Sequence, residues 1–137
     1  HSAGGHLAAM MMTRAWPVSP GRQSPFESIC CISGIFELEP IRQCFLNDTL
    51  MLSEVDVVAH SPRFRQRKVS SRLCVVVGER EGDEYLRQSR EFSSAWAGEA
   101  GPVELIEMAG KDHFSIRQTL GDPSSEVLAL ALGHQRT

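Results

Sequence analysis

The 137 residues contain no apolar stretch approaching the ~18 needed to cross a bilayer, and no secretory signal stands at the front. They contain no CxxC pair and no Cys/His pattern with metal-ligand spacing. Neither charge sign dominates: 14 Lys+Arg against 17 Asp+Glu leave a net charge of −3, too little basic excess for a polyanion-binding face. Aromatic residues make up only 7% of the chain, with a single tyrosine, and no repeat or low-complexity tract is present. These absences argue against membrane, metal and nucleic-acid readings. An initiator methionine is also lacking, His1 standing first, so the expectation is a portion of a longer protein.

What is present is 42% hydrophobic and 23% charged, enough to bury a core. Cys30, Cys31, Cys44 and Cys74 sit mostly in apolar runs, as reduced thiols of a cytoplasmic protein do. Good helix formers follow Ala3, and that helix should stop before Trp16-Pro17, since the residue preceding proline avoids the α region. A turn-rich loop over 17–27 leads to an apolar run, Ser28 to Ser33, closed by Gly34 and read as a buried strand. Short helices are expected over Glu37–Phe45 and Ser53–Ala59. The basic stretch Arg63, Arg65, Arg67 and Lys68 reads as a solvated loop.

Leu73 to Val77, ended by Gly78, is continuously apolar, as a parallel strand covered on both faces should be. Asp83 to Trp96 is amphipathic, with Tyr85, Leu86, Ser89, Phe92 and Trp96 near one stripe. Val103 to Met108 is another strand, and Ser124 to Leu132 a last helix, with Ser124 or Ser125 as N-cap. Alternating strands and helices give the α/β class with a mostly parallel sheet flanked by helices. Three strands with a raw edge make a poor free-standing sheet, so the domain is expected to be incomplete.

Three positions follow strand ends or open a helix. Ser2, between His1 and the small residues Ala3, Gly4 and Gly5, has the company a serine needs on a tight turn into a helix. The Ala3 N–H then lies where an oxyanion would develop, at the helix N-terminus. Glu79, Glu81, Asp83 and Glu84 form an acidic cluster beyond the Val77–Gly78 strand end, where an acid could orient a histidine. Glu79 and Glu84 read as solvated or helix-terminal charges. His113, in the loop after the Val103–Met108 strand, is placed to act as general base. The order Ser, acid, His is that of the α/β-hydrolases.

The resemblance becomes specific in His1-Ser2-Ala3-Gly4-Gly5-His6-Leu7-Ala8-Ala9-Met10, Ser33-Gly34-Ile35-Phe36-Glu37-Leu38-Glu39-Pro40, Asn47-Asp48, Glu84 to Phe92, and Asp112-His113-Phe114. On these stretches the chain resembles the C-terminal part of an α/β-hydrolase, and most of all the arylformamidases (kynurenine formamidases). The resemblance implies that residues 1–137 are the C-terminal portion of a single domain, lacking N-terminal strands and an HGG-type oxyanion loop. It implies Ser2 as nucleophile, His113 as base and Ala3 as oxyanion donor. The family's aspartate position falls on Glu81, with Asp83 in reserve. The implied reaction is hydrolysis of a small molecule, N-formyl-L-kynurenine, to L-kynurenine and formate, with no cofactor and no metal. A carboxylesterase or lipase-like hydrolase, or an inactive truncated chain, is the alternative, and a homodimer is a possible assembly. His6 is expected to be structural, Met10-Met11-Met12, Trp16 and Trp96 to pack in the core, and His60 and His134 have no assigned role.

Overall fold

The computed structural model describes residues 1–98 and 100–132. Three strands, β1 (Ser28–Ile32), β2 (Arg72–Gly78) and β3 (Val103–Met108), form one parallel sheet in the order β1-β2-β3. The register sets Cys31 beside Val75 and Val75 beside Leu105. β2 is central, and Leu73 through Val77 are all buried, which is why that run is apolar at every position rather than at alternate ones.

Successive side chains of a strand point to opposite faces, and the two faces carry separate cores. On one, Cys31, Leu73 and Val75 meet α1 (Ala3–Met11) and α5 (Asp83–Trp96) through Ala9, Met12, Phe92 and Trp96. Phe36 joins them, stacked on Phe92 with ring centroids 4.0 Å apart. On the other face Cys74, Val76 and Ile106 meet Ile116, Val127 and Leu130, from a 3-10 turn (Ile116–Gly121) and α6 (Glu126–Ala131). Each fully buried side chain of this kind contributes about 1.5–3 kcal/mol. α1 can close on β1 because residue 5 is glycine: a Cβ there would lie 3.0 Å from Gly34 Cα and 3.2 Å from Ile32 O.

Between β1 and β2 the chain makes an excursion of short helices, α2 (Glu39–Arg42), α3 (Asn47–Leu50) and α4 (Glu54–His60). The helix expected over Glu37–Phe45 contracts to α2: side chains take the amides at its entry, and beyond Arg42 the chain tightens into a turn, Cys44 N–H donating to Ile41 O (3.2 Å). Phe36 and Glu37 N–H both donate to Gln88 Oε1, and Leu38 N–H donates to Ser61 Oγ. α4 begins with a capping box, Ser53 Oγ accepting from Asp56 N–H while the Asp56 carboxylate accepts from Ser53 N–H.

Three expectations need correction. Arg67 is not solvated: it is 5% exposed, and its guanidinium donates to the carbonyls of Val69, Gly101 and Ser71. Neither serine caps α6 with its side chain: Ser125 holds the N-cap position without a capping bond, and Ser124 turns its hydroxyl to Asp122. The methionine run is only partly core, since Met12 is buried while Met10 and Met11 border an open groove of about 610 Å³ beside Leu7 and Trp16. Trp96 packs as expected; Trp16 is more open, edge-on to Phe26. Among the described residues no helix is long and apolar enough to cross a membrane. His134 lies outside the described residues.

Candidate active site

The segments that follow the C-terminal ends of the three strands meet one another: Ser2 N–H donates to Ile32 O, Glu81 N–H to Gly78 O and Glu79 N–H to Met108 O, and this end is the usual ligand position in an open parallel sheet. Ser2 is held there by its own N–H, which donates to Ile32 O at the end of β1 (2.9 Å). Its backbone has φ 55° and ψ −123°, left-handed for a residue with a Cβ and therefore strained. A serine at a helix N-cap ordinarily spends its hydroxyl on a backbone N–H of the first turn. Ser2 makes no such bond, so its hydroxyl remains available to His113. As the first residue of α1, Ala3 has no acceptor one turn back for its N–H.

The Ser2 hydroxyl meets His113 Nε2 at 3.1 Å, and His113 Nδ1 meets Glu81 Oε2 at 2.7 Å. A carboxylate on Nδ1 selects the tautomer with the proton there, leaving Nε2 as acceptor for the serine O–H. The Glu81 side chain is fully buried. Its other oxygen, Oε1, accepts from Ser33 Oγ (2.6 Å) and Gly78 N–H (2.7 Å). The structure thus brings Ser2, Glu81 and His113 together. Asp83, the reserve acid, lies exposed in the first turn of α5, and Glu81 occupies Nδ1. The additional methylene of glutamate is accommodated because Glu81 folds back against Gly78 rather than extending from the loop.

Two loops must sit against each other for this to happen. Glu79 N–H donates to Met108 O (3.0 Å) and Arg80 N–H to Lys111 O (2.9 Å), while Gly110 N–H donates to the Glu79 carboxylate (2.7 Å). The histidine loop is further fixed by Asp112, whose carboxylate accepts from Phe114 N–H, Ser115 N–H and the Ser115 hydroxyl. Those donors, the Ser115 amide foremost, hold Asp112 below the usual carboxylate range.

Aromatic rings surround the imidazole. Tyr85 lies 4.8 Å from it, His1 4.6 Å, and Phe114 5.6 Å edge-on. His1 also bonds the His113 carbonyl through Nε2 (2.8 Å). The Tyr85 phenol is pushed up by burial and by the Glu81 charge, and an interaction with the Ser2 hydroxyl opposes that rise. Sequence reasoning placed Tyr85 among packing residues, because a helical stripe does not distinguish a core from a cleft. A lone tyrosine one helical turn after the acid was the available signal.

The other titratable groups stand apart. The His6 imidazole bonds the His60 carbonyl (2.8 Å). Glu84 pairs with Arg87, which draws it below its usual range. Burial pushes the Cys31 thiol up to about 12, so it is a poor nucleophile. Among the described residues no cluster of three His, Cys, Asp or Glu side chains is placed to hold a metal ion. What Ser2, His113 and Glu81 can do together is transfer an acyl group through a serine ester.

No family model matches the chain. It is 36% identical to the kynurenine formamidase of Danio rerio over 140 residues, covering 96% of this chain and 46% of that protein. The kynurenine formamidase of Salmo salar is 33% identical, with 96% and 47% covered. Among solved structures, a putative thioesterase from Silicibacter sp. TM1040 superimposes with a TM-score of 0.84 at 26% identity, covering 96% of this chain and 48% of the other. The chain spans about half the length of the curated relatives it matches.

Proposed function

We propose that this chain, a homologue of the kynurenine formamidases with the fold of the α/β-hydrolases, carries the catalytic triad of a serine hydrolase acting on aryl formamides, N-formyl-L-kynurenine first among them. The observation that carries the reading is the continuous hydrogen-bonded path Ser2–His113–Glu81. The aromatic surround of His113 supports an aryl substrate, since Phe114 is 71% exposed beside the imidazole and offers its ring to a ligand.

In this reading Ser2 Oγ attacks the formyl carbon as His113 Nε2 takes the hydroxyl proton. The carbonyl oxygen becomes an oxyanion, with the Ala3 N–H as one donor. The tetrahedral intermediate collapses with cleavage of the C–N bond, and His113 returns its proton to the departing aryl amine. Water then attacks the formyl-serine with His113 as base again, releasing formate and free Ser2. Glu81 holds the imidazole in place throughout.

The test is labelling of this chain by a serine-reactive fluorophosphonate, alongside Ser2→Ala, with turnover of N-formyl-L-kynurenine compared with an aryl acetate. Labelling confined to the wild type, with the formamide preferred, supports the proposal. Equal labelling of both proteins refutes Ser2 as nucleophile. Preference for the acetate makes the chain an esterase, and no labelling at all makes it inactive alone.

A further inference from the structure

Ser33 is completely buried and has φ 49°, a left-handed conformation that is costly for any residue with a Cβ. Glycine would take it without penalty. The adjacent Gly34 is not left-handed, so the corner places its glycine where the chains touch and a serine where the backbone is strained. Strain of this kind persists when something else depends on it. The dependent feature is the hydroxyl, which donates to Glu81 Oε1 at 2.6 Å.

The same corner reaches the nucleophile. Ile32 O accepts the Ser2 N–H, and Ser33 N–H donates to Val76 O in β2 (2.7 Å). Two consecutive residues therefore tether both ends of the triad, Ser2 through a backbone carbonyl and Glu81 through a side-chain hydroxyl. Without the Ser33 hydroxyl, Glu81 Oε1 would retain only the Gly78 N–H among these donors, and a buried site admits no ready replacement by water. The carboxylate would then be free to turn about its last torsion, loosening the bond from Oε2 to His113.

We infer that Ser33 is a positioning residue of the site: its left-handed backbone aims a buried hydroxyl that fixes the orientation of Glu81 and, through it, of His113. This rests on the serine-hydrolase reading above.

The test compares Ser33→Gly with Ser33→Ala in this chain. Glycine relieves the strain and alanine keeps it, yet both remove the hydroxyl. Two readouts are taken, the fluorophosphonate labelling rate of Ser2 and the low-field proton resonance of His113 Nδ1–H. Expected are a roughly ten- to hundredfold slower labelling in both variants, as for a misoriented catalytic group, and loss of the resonance to solvent exchange. Ser33→Gly should keep a Tm within a few degrees of wild type. A labelling rate and resonance unchanged in Ser33→Gly would overturn the inference, as would losses in Ser33→Ala alone, which would trace to backbone strain. If the wild type shows no labelling, the hydrolase reading fails by itself, and the resonance still decides whether Ser33 orders the Glu81–His113 pair.

Discussion

Gly78 is the point at which the acid loop and the histidine loop touch. A Cβ added there would lie 2.3 Å from Lys111 O, 2.8 Å from the Lys111 carbonyl carbon and 3.2 Å from Glu81 Oε1. Ordinary non-bonded separations are about 3.5 Å, so Gly78→Ala must drive the two loops apart by roughly 1 Å. Both close neighbours are backbone, and no flexible side chain can yield instead. The displaced segment carries His113 two residues on, while Glu81 is three residues from Gly78 on the opposing loop. A Ser2–His113 distance of 3.1 Å has little margin for such a shift. A misplacement of this size costs about 10²-fold in rate, or about 2.7 kcal/mol of transition-state stabilisation. Overpacking also lowers global stability by about 1–3 kcal/mol. The assay pairs the labelling rate of Ser2 with thermal unfolding, using Gly121→Ala as a control in open space. A Gly78→Ala protein that reacts within twofold of wild type at an unchanged Tm would refute this account of the site's assembly.

Arg67→Met should destabilise the fold by about 3 kcal/mol, because three carbonyls lose a charged donor that water does not easily replace; chemical denaturation measures this, and a neutral effect would show that the guanidinium is dispensable. Asp112 supplies a pH dependence. Its folded-state pKa is depressed by donors in its own loop, so its stabilisation is present above the ordinary carboxylate value and is lost as pH falls through the lower folded value. Denaturant titrations at about pH 7 and about pH 3 should show a smaller acid-induced loss in Asp112→Asn than in wild type, and an equal loss would exclude this role.

The local pattern was legible where it is one-dimensional. Apolar runs ended by glycine marked β1 and β2, Val103 to Met108 was read as the third strand, and α5 was delimited from its amphipathic stripe at Asp83 and Trp96. Where side chains from distant segments compete for the backbone, the pattern misled. Gln88 takes the amides of Phe36 and Glu37 at the entry to α2, and a turn after Arg42 ends it, so the helix expected over Glu37–Phe45 is only Glu39–Arg42. Arg67, a surface charge by composition, became an internal donor because carbonyls of its own segment, Val69 and Ser71, and of the distant Gly101 surround it.

For the site, the sequence by itself determined the chemical inventory and its order: a serine among small residues before a helix, carboxylates after one strand, a histidine after the next. It put Glu81 forward as the acid with Asp83 in reserve, and gave Tyr85 and Ser33 no part in the site, reading them only as residues of a helical stripe and of a strand. Only the tertiary structure chose among them, because that choice depends on where separate loops meet in space. Gly78 lets two loops touch, which turns Glu81 inward to His113 and leaves Asp83 in solvent. β1 ends beside Ser2, which brings the strained Ser33 hydroxyl onto the acid. Periodicity records which face a residue takes on its own element, whereas a catalytic contact is a distance between elements, and the packing of the sheet sets that distance.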